Sequence, residues 1–237
     1  MPSLPRNAQT QTRRWHRYSD STALEHAAVT TIVRAAEQAI KARAAFHIVL
    51  AGGTTPKRVY EALCHVQTDW SAWHVYFGDE RCLPQDHPER NSRMAASAWL
   101  DQVGIPPQQI HIIPAERGAE HAAASYAAIL DKVGDFDLVL LGLGEDGHTA
   151  SLFPGQDAGT APDSPATLAV ANAPKPPPQR VSLSAHRLSA TRQMLFLVSG
   201  SGKAQAVQDW QSGQAIPAAQ IAPGCGVDIY IETALLA

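Results

Sequence analysis

Only three cysteines, Cys64, Cys82 and Cys225, occur in the 237 residues, and no Cys-x-x-Cys joins any two of them. An odd, scattered set signals neither a disulfide framework nor a thiolate zinc site, so buried or incidental thiols are expected. A His-x3-His pair is also missing, and His74, His87, His111 and His186 fall in unrelated segments. No metal is therefore expected. Apolar runs never approach the ~20 residues of a membrane span, and the polar N-terminus lacks a signal-peptide core. A soluble, cytoplasmic chain with no membrane partner is expected. Basic excess is absent too, since the net charge is −3. The short cluster Arg13-Arg14-Trp15-His16-Arg17 reads as a solvated approach to the first strand, and no nucleic-acid partner is expected. Without internal repeats or linkers, residues 1–237 read as one α/β domain with a polar tail at 1–14. Nothing in the pattern specifies an oligomeric state.

What the chain does have is a regular alternation of apolar runs and helical periodicities. After a short strand at Trp15–Tyr18, Ser19 or Asp20 is placed to cap a helix to about Arg43, with Leu24, Ala28, Ile32, Ala35 and Ala39 at helical spacing. Strands at Phe46–Ala51, Trp73–Phe77, Ile110–Ile113 and Phe136–Leu141 alternate with helices at Pro56–Val66, Ser92–Leu100 and Ala119–Val133. The proline-rich Gly155–Gln179 reads as a long loop with a brief strand at Leu168–Ala171. Strand Gln193–Ser199, helix Lys203–Gln211 and strand Val227–Ile231 close the chain. Such alternation predicts an α/β fold, an open and largely parallel sheet with helices on both faces.

Four of the apolar strands run directly into clusters of glycine and polar residues: Gly52-Gly-Thr-Thr-Pro56, Gly78-Asp-Glu-Arg81, Gly142 to His148, and Ser199-Gly-Ser-Gly-Lys203. In a parallel sheet these ends share one edge, which predicts a single composite site. Gly52, Gly53, Thr54 and Thr55 suit a phosphate cradle, with Thr55 as helix cap and Pro56 at the first helical position. It is not a Walker loop, whose Gly-x4-Gly-Lys spacing is absent. Lys203 could reach the same anion as a point charge. Asp79-Glu80-Arg81 sets two carboxylates beside a guanidinium fork. Asp146 and His148 lie two apart in a turn, where the carboxylate can orient the imidazole as a general base. The spacing Gly142-x-Gly144-x-x-Gly147 imitates a dinucleotide fingerprint, but Pro154-Gly155 interrupt the helix that fingerprint needs. Asp157 and Asp163 moreover lie in a loop rather than after a strand. A capped turn, a surface lysine or a solvated acidic turn would explain any one of these clusters alone. Their convergence is what points to a site.

Together, Ala51–Lys57, Phe77–Arg81 with Asp86–Asn91, Leu141–Gly155, Pro174–Arg180 and Gly202–Ala204 resemble the glucosamine-6-phosphate isomerase/6-phosphogluconolactonase superfamily, on its lactonase side. The resemblance implies a Rossmann-like fold and hydrolysis of 6-phospho-D-glucono-1,5-lactone, a small phosphorylated sugar lactone, without metal or organic cofactor. It implies His148 as the base that activates water and Asp146 as its orienting partner. It further places the Gly52–Thr55 loop and Lys203 on the phosphate, Arg81 and Arg180 on substrate oxygens, and Asp79 and Asn91 near the sugar. The rival within the superfamily is an amino-sugar phosphate deaminase/isomerase. Those enzymes carry an acid five positions after the histidine, where this chain has Phe153, and Asp-Glu-Tyr where it has Asp79-Glu80-Arg81. A non-catalytic sugar-phosphate-binding protein is the reading from another class, and the intact His148 argues against it.

Overall fold

The computed structural model describes residues 11–236. Its main sheet holds seven parallel strands in the order β1 (Arg13–Tyr18), β10 (Val227–Glu232), β9 (Met194–Val198), β6 (Leu138–Gly142), β2 (Phe46–Leu50), β3 (Trp73–Phe77) and β5 (Ile110–His111). Every residue of β9 is buried, as are four of the five in β6, which is why these strands are continuous apolar runs instead of alternating ones. Helices α1 (Ser21–Arg43), α2 (Thr54–Leu63), α3 (Asn91–Ala98), α4 (Ala119–Leu130) and α6 (Ala204–Gln211) pack on and around this layer. Asp20 is the α1 cap, its side chain accepting from the Ala23 N–H at 2.9 Å. Among the described residues, no helix is long and apolar enough to cross a membrane.

Three sequence expectations shift. Residues 1–10 of the expected tail lie outside the described residues, whereas Arg13 and Arg14 belong to β1, which begins two residues before the strand expected at Trp15. The cause is distant. The Arg14 guanidinium grips both oxygens of Asp228 on β10, at 2.8 and 3.0 Å, 214 positions away. Second, α2 starts at Thr54 with Gly53 as its cap, so Thr55 is not the capping residue and Pro56 stands third. Pro56 is tolerated there because first-turn N–H groups have no helical partner in any case.

Third, Asp79–Arg81, expected as a polar cluster just past a strand end, is itself a strand. It forms β4, which pairs antiparallel with β8 (Arg180–Leu183), itself paired with β7 (Thr167–Val170) in a separate three-stranded sheet. Only Gly78 separates β3 from β4. Its N–H donates to Leu50 O in the main sheet (3.0 Å) and its carbonyl accepts from the Leu183 N–H (2.8 Å), so one residue stitches the two sheets. The small sheet stands at the C-terminal ends of the main strands, with β7 and β8 packed on α4.

Candidate active site

From β2 the chain steps outward to β3 and β5 on one side, while β6, β9 and β10 lie on the other. Strand order thus reverses between β2 and β6, where crevices form in open α/β sheets. A cavity of about 200 Å³ opens there. Gly52, Gly53, Asp79, Arg81, Asn91, His148, Arg180 and Lys203, all singled out from sequence, line it together. Thr54 and Thr55 line an adjoining cavity of about 510 Å³ that shares Gly52, Gly53 and Lys203 with the first. Asp146 stands behind His148 and does not line the main cavity.

The His148 Nδ1 hydrogen-bonds Asp146 Oδ1, so Nε2 is the ring nitrogen left for substrate or water. The imidazole lies directly over Gly144, where any Cβ would overlap it, and the ring is therefore the reason for that glycine. The loop closes on itself through the Gly144 N–H to His148 O at 2.7 Å and Thr149 Oγ1 to Gly142 O at 2.8 Å. Burial pushes the His148 pKa below its ordinary 6.5, and the pull of Asp146 in the other direction does not offset it. Burial works against the Asp146 carboxylate too, but the histidine's hydrogen bond and charge outweigh it and hold that pKa below the usual carboxylate range. The dyad at neutral pH is thus a neutral imidazole beside an ionised carboxylate, the form a general base requires.

Asp79 and Glu80, adjacent in sequence, part company. Asp79 is fully buried against the cavity and accepts from Ser151 Oγ (2.6 Å) and Asn91 Nδ2 (2.9 Å). Burial raises its pKa, the Ser151 bond opposing. Asn91 in turn packs over Gly52, where a Cβ would strike its amide. Glu80 turns the other way. Its carboxylate accepts from the Asn91 and Ser92 N–H groups, both at 2.8 Å, and caps α3, while the wholly buried Arg90 lies 3.4 Å off. Its charge offsets the unpaired first-turn amides and fixes Asn91.

Arg81 and Arg180 face each other in register across β4 and β8. Like charges directly opposed are unfavourable, so this pair calls for an anion or an electron-rich oxygen between them. Arg180 is gripped by the carbonyls of Lys175, Pro176 and Pro177 at 3.2, 2.9 and 3.1 Å. Arg81 is freer: Nη1 donates to Glu89 O at 2.7 Å, and its buried Nε has no partner among the described residues. Phe153 fills the space between base and guanidinium, 4.9 Å from the His148 ring centroid and 5.7 Å from the Arg180 guanidinium carbon.

On the remaining wall, the Thr54 and Thr55 amides belong to the unpaired first turn of α2, and the Thr55 hydroxyl bonds Ser199 Oγ at 2.6 Å. That contact, rather than a cap, is what the Thr55 hydroxyl makes. Lys203 ends the 3-10 turn Ser201–Lys203. Burial lowers its pKa and the charge of Glu145 opposes that shift. Unpaired amides, a helix N-terminus and an ammonium together suit a phosphate. Ser151, Glu80 as a cap, Ser199 and Lys175 were not assigned roles from sequence. Ser151 meets Asp79 from 72 positions away, and only the fold can join them. Among the described residues, no group of three or more His, Cys, Asp or Glu side chains is arranged to hold a metal ion.

Residues 19–230 match the family described as glucosamine-6-phosphate isomerases/6-phosphogluconolactonase. The chain is 41% identical over 203 residues to a 6-phosphogluconolactonase of Synechocystis, covering 82% of each chain. It is 36% identical over 232 residues to the 6-phosphogluconolactonase of Mycobacterium leprae, covering 92% of each. Among solved structures, the 6-phosphogluconolactonase of Thermotoga maritima superposes with a TM-score of 0.86 at 25% identity, over 94% of this chain and 100% of that one. With the strand order, the site's position and these likenesses in agreement, the chain belongs to the glucosamine-6-phosphate isomerase/6-phosphogluconolactonase family.

Proposed function

We propose that this chain hydrolyses 6-phospho-D-glucono-1,5-lactone to 6-phospho-D-gluconate in the cytoplasm, a step of the oxidative pentose phosphate pathway, with one domain carrying the whole reaction. The observation that carries the reading is that His148, backed by Asp146, lines one cavity with two opposed arginines and Lys203. The phosphate sits at the α2 N-terminus and Lys203, which places the lactone ring toward His148. His148 Nε2 takes a proton from water as the water oxygen bonds to the lactone carbonyl carbon. The carbonyl electron pair moves onto its oxygen, where the charge of the opposed Arg81 and Arg180 guanidiniums stabilises it. Collapse breaks the bond from the carbonyl carbon to the ring oxygen. His148 returns its proton to that oxygen, and the new carboxylic acid ionises in solvent. Asp79 and Asn91 hold sugar hydroxyls.

Deamination of glucosamine 6-phosphate asks for ring opening and proton transfer between carbons. Phe153, buried against His148, offers no carboxylate for this. The test is acid release from the phosphorylated lactone, measured against its spontaneous opening, beside ammonia release from glucosamine 6-phosphate. Fast lactone hydrolysis with no ammonia is the expected result. Comparable ammonia release would make the deaminase the better reading, and binding with neither reaction would make the chain a sugar-phosphate-binding protein.

A further inference from the structure

Asp146 is where two loops meet. From its own loop, Oδ1 takes His148 Nδ1, and from the proline-rich stretch 174–178 Lys175 Nζ lies 3.8 Å from the same oxygen. The main chain of Lys175 is also engaged, for its carbonyl accepts from Arg180 Nη2 at 3.2 Å, next to the carbonyls of Pro176 and Pro177. Prolines at 174, 176, 177 and 178 fix φ on both sides of Lys175. The backbone from which the Lys175 side chain reaches Asp146 is therefore restrained where its carbonyl meets Arg180. One residue thus contacts both the carboxylate behind the base and the Arg180 guanidinium.

We infer that Lys175 is a positioning residue: its ammonium braces the Asp146 carboxylate behind the His148 base while its carbonyl holds Arg180. The inference rests on the lactonase reading above and assigns a residue that reading leaves idle.

The electrostatic surroundings agree. The other charges around the dyad are Asp79 from β4, Lys203 from the turn before α6, with Glu145 turned toward it, and Arg180 beyond the Phe153 ring. Within 4 Å of the Asp146 carboxylate, Lys175 and His148 are the partners among the described residues. After burial and Asp146, the charge of Lys175 comes next in acting on His148, and it favours the neutral ring. A half-exposed pair of this length adds little to folding stability. Removing it leaves the fold intact and isolates its effect on the base.

The experiment compares Lys175→Met, which keeps the stem and loses the charge, with Lys175→Arg, which keeps the charge. The pH profile of kcat/KM is followed for the phosphorylated lactone, corrected for spontaneous hydrolysis, at low and high salt. In Lys175→Met the acid limb should move upward by roughly 0.3–1 pH unit, the scale of one partly screened neighbouring charge. KM should stay within about twofold, and the displacement should shrink in high salt. Lys175→Arg should restore the wild-type limb. An unmoved limb with a raised KM overturns the inference by making Lys175 a direct substrate ligand. An unmoved limb with nothing else changed overturns it by making Lys175 a surface lysine. His148→Asn, assayed alongside, separates the two readings. If it keeps the wild-type rate, the base assignment fails and Lys175 falls with it. If it loses the rate while Lys175→Met keeps the wild-type limb, only the inference about Lys175 fails.

Discussion

The same strands carry two cavities of nearly equal volume, about 200 Å³ at their C-terminal ends and about 210 Å³ at their N-terminal ends. Both hold histidine, arginine and aspartate, yet they are chemical opposites. At the N-terminal ends the Asp137 carboxylate is spent. It takes Arg43 Nη2 at 2.5 Å and the His47 N–H at 2.8 Å, with Arg192 Nε at 3.6 Å. The imidazoles there stack on one another, His47 on His74 at 4.7 Å and His74 on His111 at 6.0 Å, and His47 Nδ1 meets the Tyr76 hydroxyl at 3.2 Å. At the C-terminal ends Arg81, Arg180 and Lys203 line the wall beside Asp79, and His148 is backed by a carboxylate that leaves its other nitrogen to the cavity. Residue type does not distinguish the two ends. What distinguishes them is whether donors and charges are already consumed by the fold.

The two ends should differ most in their bearing on turnover. His148→Ala should lower kcat by roughly 10²–10⁴ with substrate affinity within a few fold, whereas His74→Gln at the other end should leave kcat within about twofold. An equal loss in both would erase the distinction. Next in size is recognition. Lys203→Ala should raise KM for the phosphorylated lactone by roughly 10- to 100-fold, the worth of a hydrogen bond to a charged group, and leave the unphosphorylated lactone untouched. Arg192→Ala, whose guanidinium is turned to Asp137, should change neither. If Lys203→Ala harms both substrates equally, Lys203 serves the reacting centre or the fold instead of the phosphate.

Much of the C-terminal edge was legible because its signals are local. Gly52–Thr55, Asp146 and His148 sit within a few residues of the strand that delivers them, and a parallel sheet puts all such strand ends on one side. Where the reading missed, the determining contact was remote or the backbone had a second option. Asp79–Arg81 reads as a polar cluster past a strand end because nothing near it reveals β8, about a hundred residues later, as its partner. Thr55 looked like a cap because Pro56 favours a first helical position, yet the helix gains two residues by starting at Thr54. The roles of Asp79 and Glu80 could not be separated from sequence, since opposite faces of β4 assign one to the cavity and the other to the amides of α3.

The smallest expected effect concerns stability, and it belongs to the other end of the strands. Burial holds His47, His74 and His111 below the ordinary imidazole value of 6.5. The charges of its neighbours add to this for His47 and His111, while Asp137 opposes it and Arg43 reinforces it at His47. The folded state therefore binds fewer protons here than the unfolded chain does. The stack's contribution is fully present above pH ~6.5, the unfolded pKa, and is lost as pH falls from there through the lower folded values. Tm followed from pH 8 to 5 should decline toward acid, and His74→Gln, which removes the ring between the other two, should flatten that decline. The rings are half-exposed and partly screened, so the difference at pH 5 should be only about 1–3 °C for a chain of this size. A steeper or unchanged decline in His74→Gln would move the acid-sensitive element away from the stack. His148, whose pKa is lowered as well, would then be the next histidine to replace, and the acid sensitivity would belong to the C-terminal ends of the strands.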